Sequence, residues 1–441
     1  MGGVLLHIST PNSDMQRLLF LLPLALLLHF SPPATAAPLA GDTLTLTLPQ
    51  AEQQFVQNNL LLLAQRYNVS AAEAQILQAR LWDNPTISIE QNTYNPQTRK
   101  VLDVTKTGNS IVQVQQLFAI AGRRKAAANV AQQNALVEQF TFQELLRTLR
   151  YQLRSTFYDL YYKQQSVSVY DQEVASFQRT VSLYQGQYEK GNIALKEVIR
   201  LKAFLFQLRN ERQTLLNDIA AEQADLRTLM RDTSGAYYMP QADGNRLKAL
   251  SLTDRTEAQL IDSAQVNRAD LKARQAAVQQ QTQNLRLQRA LAAPDLAVGY
   301  VYDRAGNYIQ NYNALTLGVA VPIFNRNQGN IRTAQNQIEV SKAQFNQQQL
   351  QVQNDVQEAW RLARQNDQLY QGTDRETSDF NRLMRGIDES YAKRNLTIVE
   401  FLDFYESYKN NLVQLNALRA NRVRAFEQLN YAVGRPVFNA E

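Results

Sequence analysis

The stretch "RNLTIVEFLD", residues 394–403, has a near twin 203 positions upstream, "GNIALKEVIR" at residues 191–200. A tyrosine precedes each: Tyr188-Glu-Lys leads into the first, Tyr391-Ala-Lys into the second. Each stretch closes one long polar helical run and opens another. After the first, Val198, Leu201, Leu205, Leu208, Leu215, Ile219, Leu226 and Leu229 hold an a/d heptad that only Arg212 and Glu222 interrupt. Moved by the same 203 positions, the heptad predicts a second seam through Phe401, Phe404, Tyr408, Leu418, Ala425, Leu429 and Ala432, with Asn411 and Leu415 in between.

The repetition extends beyond the turns. Asn84-Pro85 precedes the alternating "TISIEQN", and Ala293-Pro294, 209 positions on, precedes "DLAVGYVYD". A second alternating run follows in each half, "SIVQVQQLF" at 110–118 and "ALTLGVAVPIF" at 314–324. Each half therefore reads strand, strand, very long helix, turn, helix, in units of about 50–230 and 255–435. Helices are predicted at about 50–82, 122–190, 193–231, 255–292, 329–392 and 396–432, strands within 84–119 and 294–324, and a connector at 232–254. Tyr170, Val174, Phe177, Val181, Tyr184 and Tyr188 stripe the first long helix; Phe380, Met384, Ile387 and Tyr391 stripe its counterpart. A run from Arg124 to Tyr188 would measure roughly 100 Å at the helical rise. Such a rod needs equally long partners.

The alternating segments pose a different requirement. Ile87/Ile89, Val112/Val114, Leu296/Val298/Tyr300/Tyr302 and Leu315/Leu317/Val319/Val321 are apolar on one face, while Ser88, Gln113, Gln115, Ala297 and Thr316 occupy the other. Four strands are too few to close a barrel. Three chains would supply twelve, an even number suited to a barrel with a lipid-facing exterior and a wet lumen.

Composition narrows the chemistry. Arg17, the apolar "LLFLLPLALLLHF" and the small-residue site Ala34-Thr35-Ala36 predict a secretory signal over residues 1–36, with Met15 as an alternative start and a mature chain of 37–441. The chain has no cysteine, and both histidines, His7 and His29, fall inside that segment. Imidazole-based acid–base catalysis, thiol nucleophiles and the usual soft-metal ligands are thereby removed, so no catalytic residue, metal site or cofactor is expected. The net charge of +6 reads as spread along the helices, which gives nucleic-acid binding no support. Only 16 Gly and 12 Pro in 441 residues predict long elements with few turns.

"YAKRNLTIVEFLD" (391–403), "VPIFNRNQGNIRTAQNQIE" (321–339), "NPTISIEQN" (84–92) and "AGRRKAAANVAQ" (121–132), set in the doubled plan, resemble the TolC-type outer membrane factors over essentially all of residues 50–435. The last three resemble the cobalt–zinc–cadmium/copper-efflux branch. The resemblance implies a mainly α protein with a small membrane β-barrel: a homotrimer whose twelve-stranded barrel sits among outer membrane lipid of a Gram-negative bacterium. A long helical barrel would extend through the periplasm. It further implies an exit duct for substrates, heavy-metal cations among them, passed on by a periplasmic adaptor (membrane fusion protein) and an inner-membrane efflux pump of the RND type.

In such a trimer the twin turns become the periplasmic tips. Gly191, Asn192 and Ile193, with Asn395, Leu396 and Thr397, would receive the adaptor. Glu400 and Asp403, on one side of a helix at i, i+3, match the family's acidic positions at the tunnel entrance. Threefold rings of carboxylates attract cations, and crowding like charges favours proton uptake at some of them. Without the resemblance, two acids in a first helical turn simply suit the helix N-terminus. Leu396 stands where the family prototype carries a basic gate residue, so Arg394 and Tyr391, with Glu197 and Arg200 of the first turn, are the remaining gate partners, and an Arg200–Asp403 link is one form the lock could take. Two other readings compete: a periplasmic adaptor, which would show one hairpin rather than two, and a cell-wall hydrolase using paired carboxylates, which would need a cleft.

Overall fold

The computed structural model describes residues 42–252, 256–306, 309–373, 386–387, 390–391 and 395–438. The expected signal segment, Phe380, Met384 and Arg394 lie outside the described residues. In the first half, β1 (Thr43–Thr47) runs into α1 (Leu48–Asn58) and α2 (Leu60–Arg80). Then come β2 (Thr86–Gln91), a short ribbon of β3 (Tyr94–Asn95) and β4 (Lys100–Val101), β5 (Ser110–Phe118), α3 (Arg123–Glu189) and α4 (Leu195–Met230). β6 (Tyr237–Gln241) and α5 (Gly244–Ala249) lead to the second half. That half contains α6 (Glu257–Asn267), α7 (Ala269–Leu291), β7 (Leu296–Asp303), β8 (Tyr312–Val319), α8 (Gln328–Thr373) and α9 (Ile398–Val433).

The 67 residues of α3 span roughly 100 Å. Its first part is tied to α2 and α7, by Gln65–Glu138 and Gln280–Asn134 hydrogen bonds, and its later part packs on α4 and α9. The rod thus finds its partners within the chain. Leu153, Phe157 and Leu160 of α3 meet Leu226, Val356, Phe426 and Leu429 in a buried core, each large side chain contributing roughly 1.5–3 kcal/mol. Among the described residues no helix is long and apolar enough to cross a membrane.

Four of the strands form one antiparallel sheet in the order β2-β5-β7-β8. Register places Ile87, Val114, Tyr300 and Leu315 in one row and Thr86, Gln115, Gly299 and Thr316 in the next. Neighbouring residues of a strand point to opposite faces, so the apolar positions of all four strands share one side. That side is bare: Ile89 is 72 % exposed, Leu315 84 % and Leu317 72 %. The other side is mostly polar or small, with Ser88, Gln113, Gln115, Ala297 and Thr316 among its residues. A Cβ on Gly299 would lie 2.6 Å from the Thr316 hydroxyl, so a side chain at that crossing would push Thr316 aside. At the far end of the sheet Asp103 accepts hydrogen bonds from Thr105 N (3.0 Å) and the Thr107 hydroxyl (2.7 Å), folding the 92–109 loop on itself.

Three features depart from the sequence reading. The connector holds secondary structure: β6 pairs in parallel with β1, and buried Gln223 bonds both Tyr238 N (3.0 Å) and Tyr238 O (2.7 Å). The transferred heptad fits at Phe401 and again at Ala425, Leu429 and Ala432 but slips in between, where Phe404 is 40 % exposed and Tyr405 and Lys409 are buried instead. There Tyr405 meets Phe177 edge-on at 4.7 Å, which turns α9 away from the transferred seam. Finally, the basic excess is not spread along the helices but gathers where they meet the sheet.

Both halves break their first helix at equivalent points. Asn59, between α1 and α2, and Arg268, between α6 and α7, are 209 residues apart with nearly identical backbone angles (φ −61°, ψ 124° and φ −65°, ψ 125°). Each side chain donates across to the end of a long helix, Asn59 to Leu229 O (2.9 Å) and Arg268 to Ala432 O (3.4 Å), carbonyls 203 residues apart.

Candidate functional site

The two turns share a closing bond. At the first, Asn192 N donates to Gln187 O and Gly191 N to Tyr188 O (2.9 and 2.8 Å), with Gly191 at φ +75°. This is a Schellman closure, and its left-handed residue favours glycine. At the second turn, Asn395 N donates to Ser390 O at 2.9 Å, the same bond 203 residues on.

Their exits differ. Ala194 opens α4 with no side-chain cap, whereas Thr397 opens α9 with a full capping box. Thr397 N donates to Glu400 Oε2 (2.8 Å), the Thr397 hydroxyl donates to the same oxygen (2.8 Å), and Glu400 N donates back to Thr397 Oγ1 (3.3 Å). The backbone N–H and then the hydroxyl of Thr397 hold the Glu400 carboxyl below its ordinary value. Within one protomer Glu400 is therefore an ionised cap, and Asp403, one turn further, is likewise exposed.

Behind the turns lies an aromatic cluster joining both halves. Tyr391 stacks on Phe401 (3.8 Å between centroids, 11°) and on Tyr184 (5.6 Å, 2°). Phe177 packs against Phe204 and Tyr405, each at 4.7 Å. Burial pushes the Tyr391 phenol well above its ordinary value, with Tyr184 and the Glu197 charge adding to the shift. Tyr391 and Glu197 are thus brought into each other's field. Leu396 is half-buried against this cluster, together with Ile398 and Leu402. At the position where the resemblance leads one to expect a basic gate residue, this chain places an apolar contact. Arg200 is exposed, and among the described residues no ion pair joins it to Asp403. Gly191, Asn192, Asn395 and Thr397 are exposed at the turns and Ile193 is half-buried.

The sequence reading missed a charged group just behind this cluster. Lys409 is 1 % exposed and bonds Glu211 Oε2 at 2.5 Å, and the Tyr170 hydroxyl donates to the same oxygen at 3.2 Å. Burial alone would raise the Glu211 pKa, but the Lys409 hydrogen bond and charge, with Gln207 and Tyr170, bring it below its ordinary value. The only hint in the sequence is a lysine four residues after Tyr405 on a helix face that is otherwise aromatic. Among the described residues no group of three or more His, Cys, Asp or Glu is placed to hold a metal ion.

With the sheet, the rods and the turns in place, comparison with known proteins becomes specific. The model of the outer membrane efflux protein family matches residues 52–232 and again 260–435, one match per half. The chain belongs to the outer membrane efflux protein family. The cobalt-zinc-cadmium resistance protein CzcC of Cupriavidus metallidurans is 23 % identical over 302 residues, 68 % of each chain. Among solved structures, CusC matches with a TM-score of 0.73 at 16 % identity, covering 88 % of this chain and 92 % of that one. The CmeC outer membrane channel of Campylobacter jejuni matches at 0.72 and 11 % identity, covering 89 % and 87 %. The family and the fold make the expected mainly α protein with a small membrane strand domain the correct class. This efflux protein resides in the outer membrane. Its relatives are channel proteins rather than enzymes.

Proposed function

We propose that three copies of this chain form a continuous exit duct, the outer membrane component of a tripartite efflux system. One observation carries the reading: a four-stranded sheet with one bare apolar face and two open edges, β2 and β8, mounted on a helical body whose longest rod, α3, spans roughly 100 Å. Open edges with unpaired backbone groups are not tolerated in lipid, and joining β8 of one copy to β2 of the next removes all of them in a twelve-stranded ring. The helical bodies then enclose the periplasmic part of the conduit, and the twin turns of three copies give six similar tips for adaptor hairpins. Gly191, Asn192, Ile193, Asn395, Leu396 and Thr397 are the residues such hairpins would meet.

Glu400 and Asp403 project from exposed positions of α9, and threefold symmetry makes each a ring of carboxylates at the tunnel entrance. Such rings draw cations in and are blocked by multivalent ones. The likeness to CzcC, named for cobalt, zinc and cadmium resistance, supports divalent metal cations as cargo, with selection made by the pump, since the mature chain carries no imidazole or thiolate.

Single-channel recording in planar bilayers tests the duct. The protein should give long-lived currents that a trivalent cation blocks from one side. Glu400→Gln with Asp403→Asn should raise the blocking concentration on the order of tenfold. Unchanged block by the double variant would put the cation-binding ring elsewhere. For the cargo, deletion of the gene should sensitise the host to cobalt, zinc or cadmium; unchanged metal tolerance with increased dye or antibiotic sensitivity would reassign the substrate class.

A further inference from the structure

The junction between sheet and helices carries more charge than its length warrants. Arg80, Arg123, Arg124 and Lys125 stand at the ends of α2 and α3 beside β2 and β5. Arg286, Arg289, Arg326 and Arg332 stand at the ends of α7 and α8 beside β7 and β8. Against these eight, the same short segments contain two acids, Asp83 and Asp295, so this one level holds an excess equal to the entire +6 of the chain.

The register and cross-ties show that it is one level. Phe118, Leu296 and Val319 form a single row across β5, β7 and β8, and Gln116 Nε2 donates to Asp83 O at 2.8 Å. Below that row Arg123 pairs with Asp295 (2.7 Å), and Asn327 Nδ2 donates to Gln288 O (2.7 Å). Arg124 Cζ lies over the Trp82 ring, 3.3 Å from its centroid, and Trp82 meets Phe118 edge-on at 5.9 Å.

The level is also apolar at its surface. Trp82 is 54 % exposed and Phe324 91 %, with Leu81, Val321 and Ile323 also exposed. Bare aromatic and aliphatic side chains directly beside guanidinium groups suit neither bulk water nor the hydrocarbon core. They suit the boundary between the two, where phosphodiesters sit.

We propose that this collar binds anionic phospholipid headgroups of the periplasmic leaflet, with the Arg124–Trp82 pair as one contact and Arg289 and Arg326 as others. The inference rests on the barrel reading of the sheet. The guanidiniums take the phosphodiester oxygens, bidentately where the approach allows, and the exposed rings lie against the first acyl carbons. The lipid-exposed collar fixes the depth of the duct in the membrane.

The chain has two tryptophans, Trp82 and Trp360, so Trp82 reports on its surroundings once the Trp82→Phe protein has supplied the Trp360 background. Full-length protein would be reconstituted in phosphatidylcholine vesicles with a minor fraction of brominated lipid, either phosphatidylglycerol or phosphatidylcholine. Brominated phosphatidylglycerol should quench Trp82 roughly fivefold more effectively per mole, the enrichment expected from one basic contact near an anionic surface. The Arg124→Gln, Arg289→Gln, Arg326→Gln variant should lose that preference, and the corresponding lysine variant should keep it. Equal quenching by the two lipids overturns the headgroup site while leaving the barrel intact. No quenching by either would show that Trp82 never meets lipid and would overturn the collar, while the barrel itself stands or falls by the single-channel currents.

Discussion

Asn59 and Arg268 occupy the same break in the two halves of the chain and solve it by different chemistry. Asn59 caps the helix that follows, accepting from Leu61 N (3.0 Å) and Leu62 N (3.1 Å), while its amide donates to Leu229 O. An arginine cannot accept a hydrogen bond, so at the second break Asp270 accepts from its own neighbour Leu271 N, and Arg268 holds Asp270 and Asp355 (3.0 and 2.7 Å). The helix beyond is covered as well. Gly434 closes α9 in the left-handed region, and a Cβ there would come 3.2 Å from the Arg268 backbone; Arg231 holds the matching left-handed position in the first half. Duplication conserved the backbone and left the polar solution free to diverge, from one neutral amide to a buried ionic network.

The difference can be broken directly. Arg268→Met should cost about 3 kcal/mol, because it removes the main charge partner of two partly buried carboxylates, whereas Asn59→Ala should cost about 1–2 kcal/mol for a lost cap and one carbonyl partner. Denaturant unfolding of the detergent-solubilised protein measures both, and equal losses would mean that the two breaks are energetically alike.

Acid should separate the halves next. Burial alone would raise the Asp270 pKa, but Arg268, by hydrogen bond and charge, holds it below the usual carboxylate value. A depressed carboxylate stabilises the fold above its unfolded pKa and loses that contribution as the pH falls through the folded value. As the pH falls below about 4, hydrogen exchange at α6 and the start of α7 should accelerate ahead of α1 and α2, whose break contains no titrating group of its own. Exchange that rises together in both would assign acid sensitivity to the whole bundle.

The smallest effect belongs to the tips. Thr397→Ala removes the capping box and should loosen the first turn of α9 by about 1 kcal/mol. Gly191→Ala, at φ +75°, should loosen the first tip by a similar amount through backbone strain. Hydrogen exchange resolved to each turn would sharpen the comparison: each substitution should act on its own tip, and a response in both would mean that the aromatic cluster couples them.

Legibility in the sequence follows the range of each interaction. The Tyr184 and Tyr391 stripes were readable because helix packing repeats every three or four residues, and those tyrosines do stack in the structure. Glu400 and Asp403 were readable as an exposed i, i+3 pair, but the carboxylate bond from Glu400 back to Thr397 emerged only with the turn's geometry. Lys409 was not readable. A heptad carried over by 203 positions expects Tyr408 at the seam and has no means of finding a carboxylate 198 residues away.

By itself, then, the sequence determined what depends on neighbours along the chain: the duplication, the long helices, and the strands with one apolar face. Those patterns have periods of two and 3.6 residues and are written locally. The tertiary structure alone decided what depends on neighbours in space. It paired β1 with β6 across the connector, rotated α9 to bury Lys409 on Glu211, and gathered eight basic side chains at the foot of the sheet. Each of these joins segments that nothing in local periodicity connects, and the cost of a buried or crowded charge is set by partners that only the folded chain supplies.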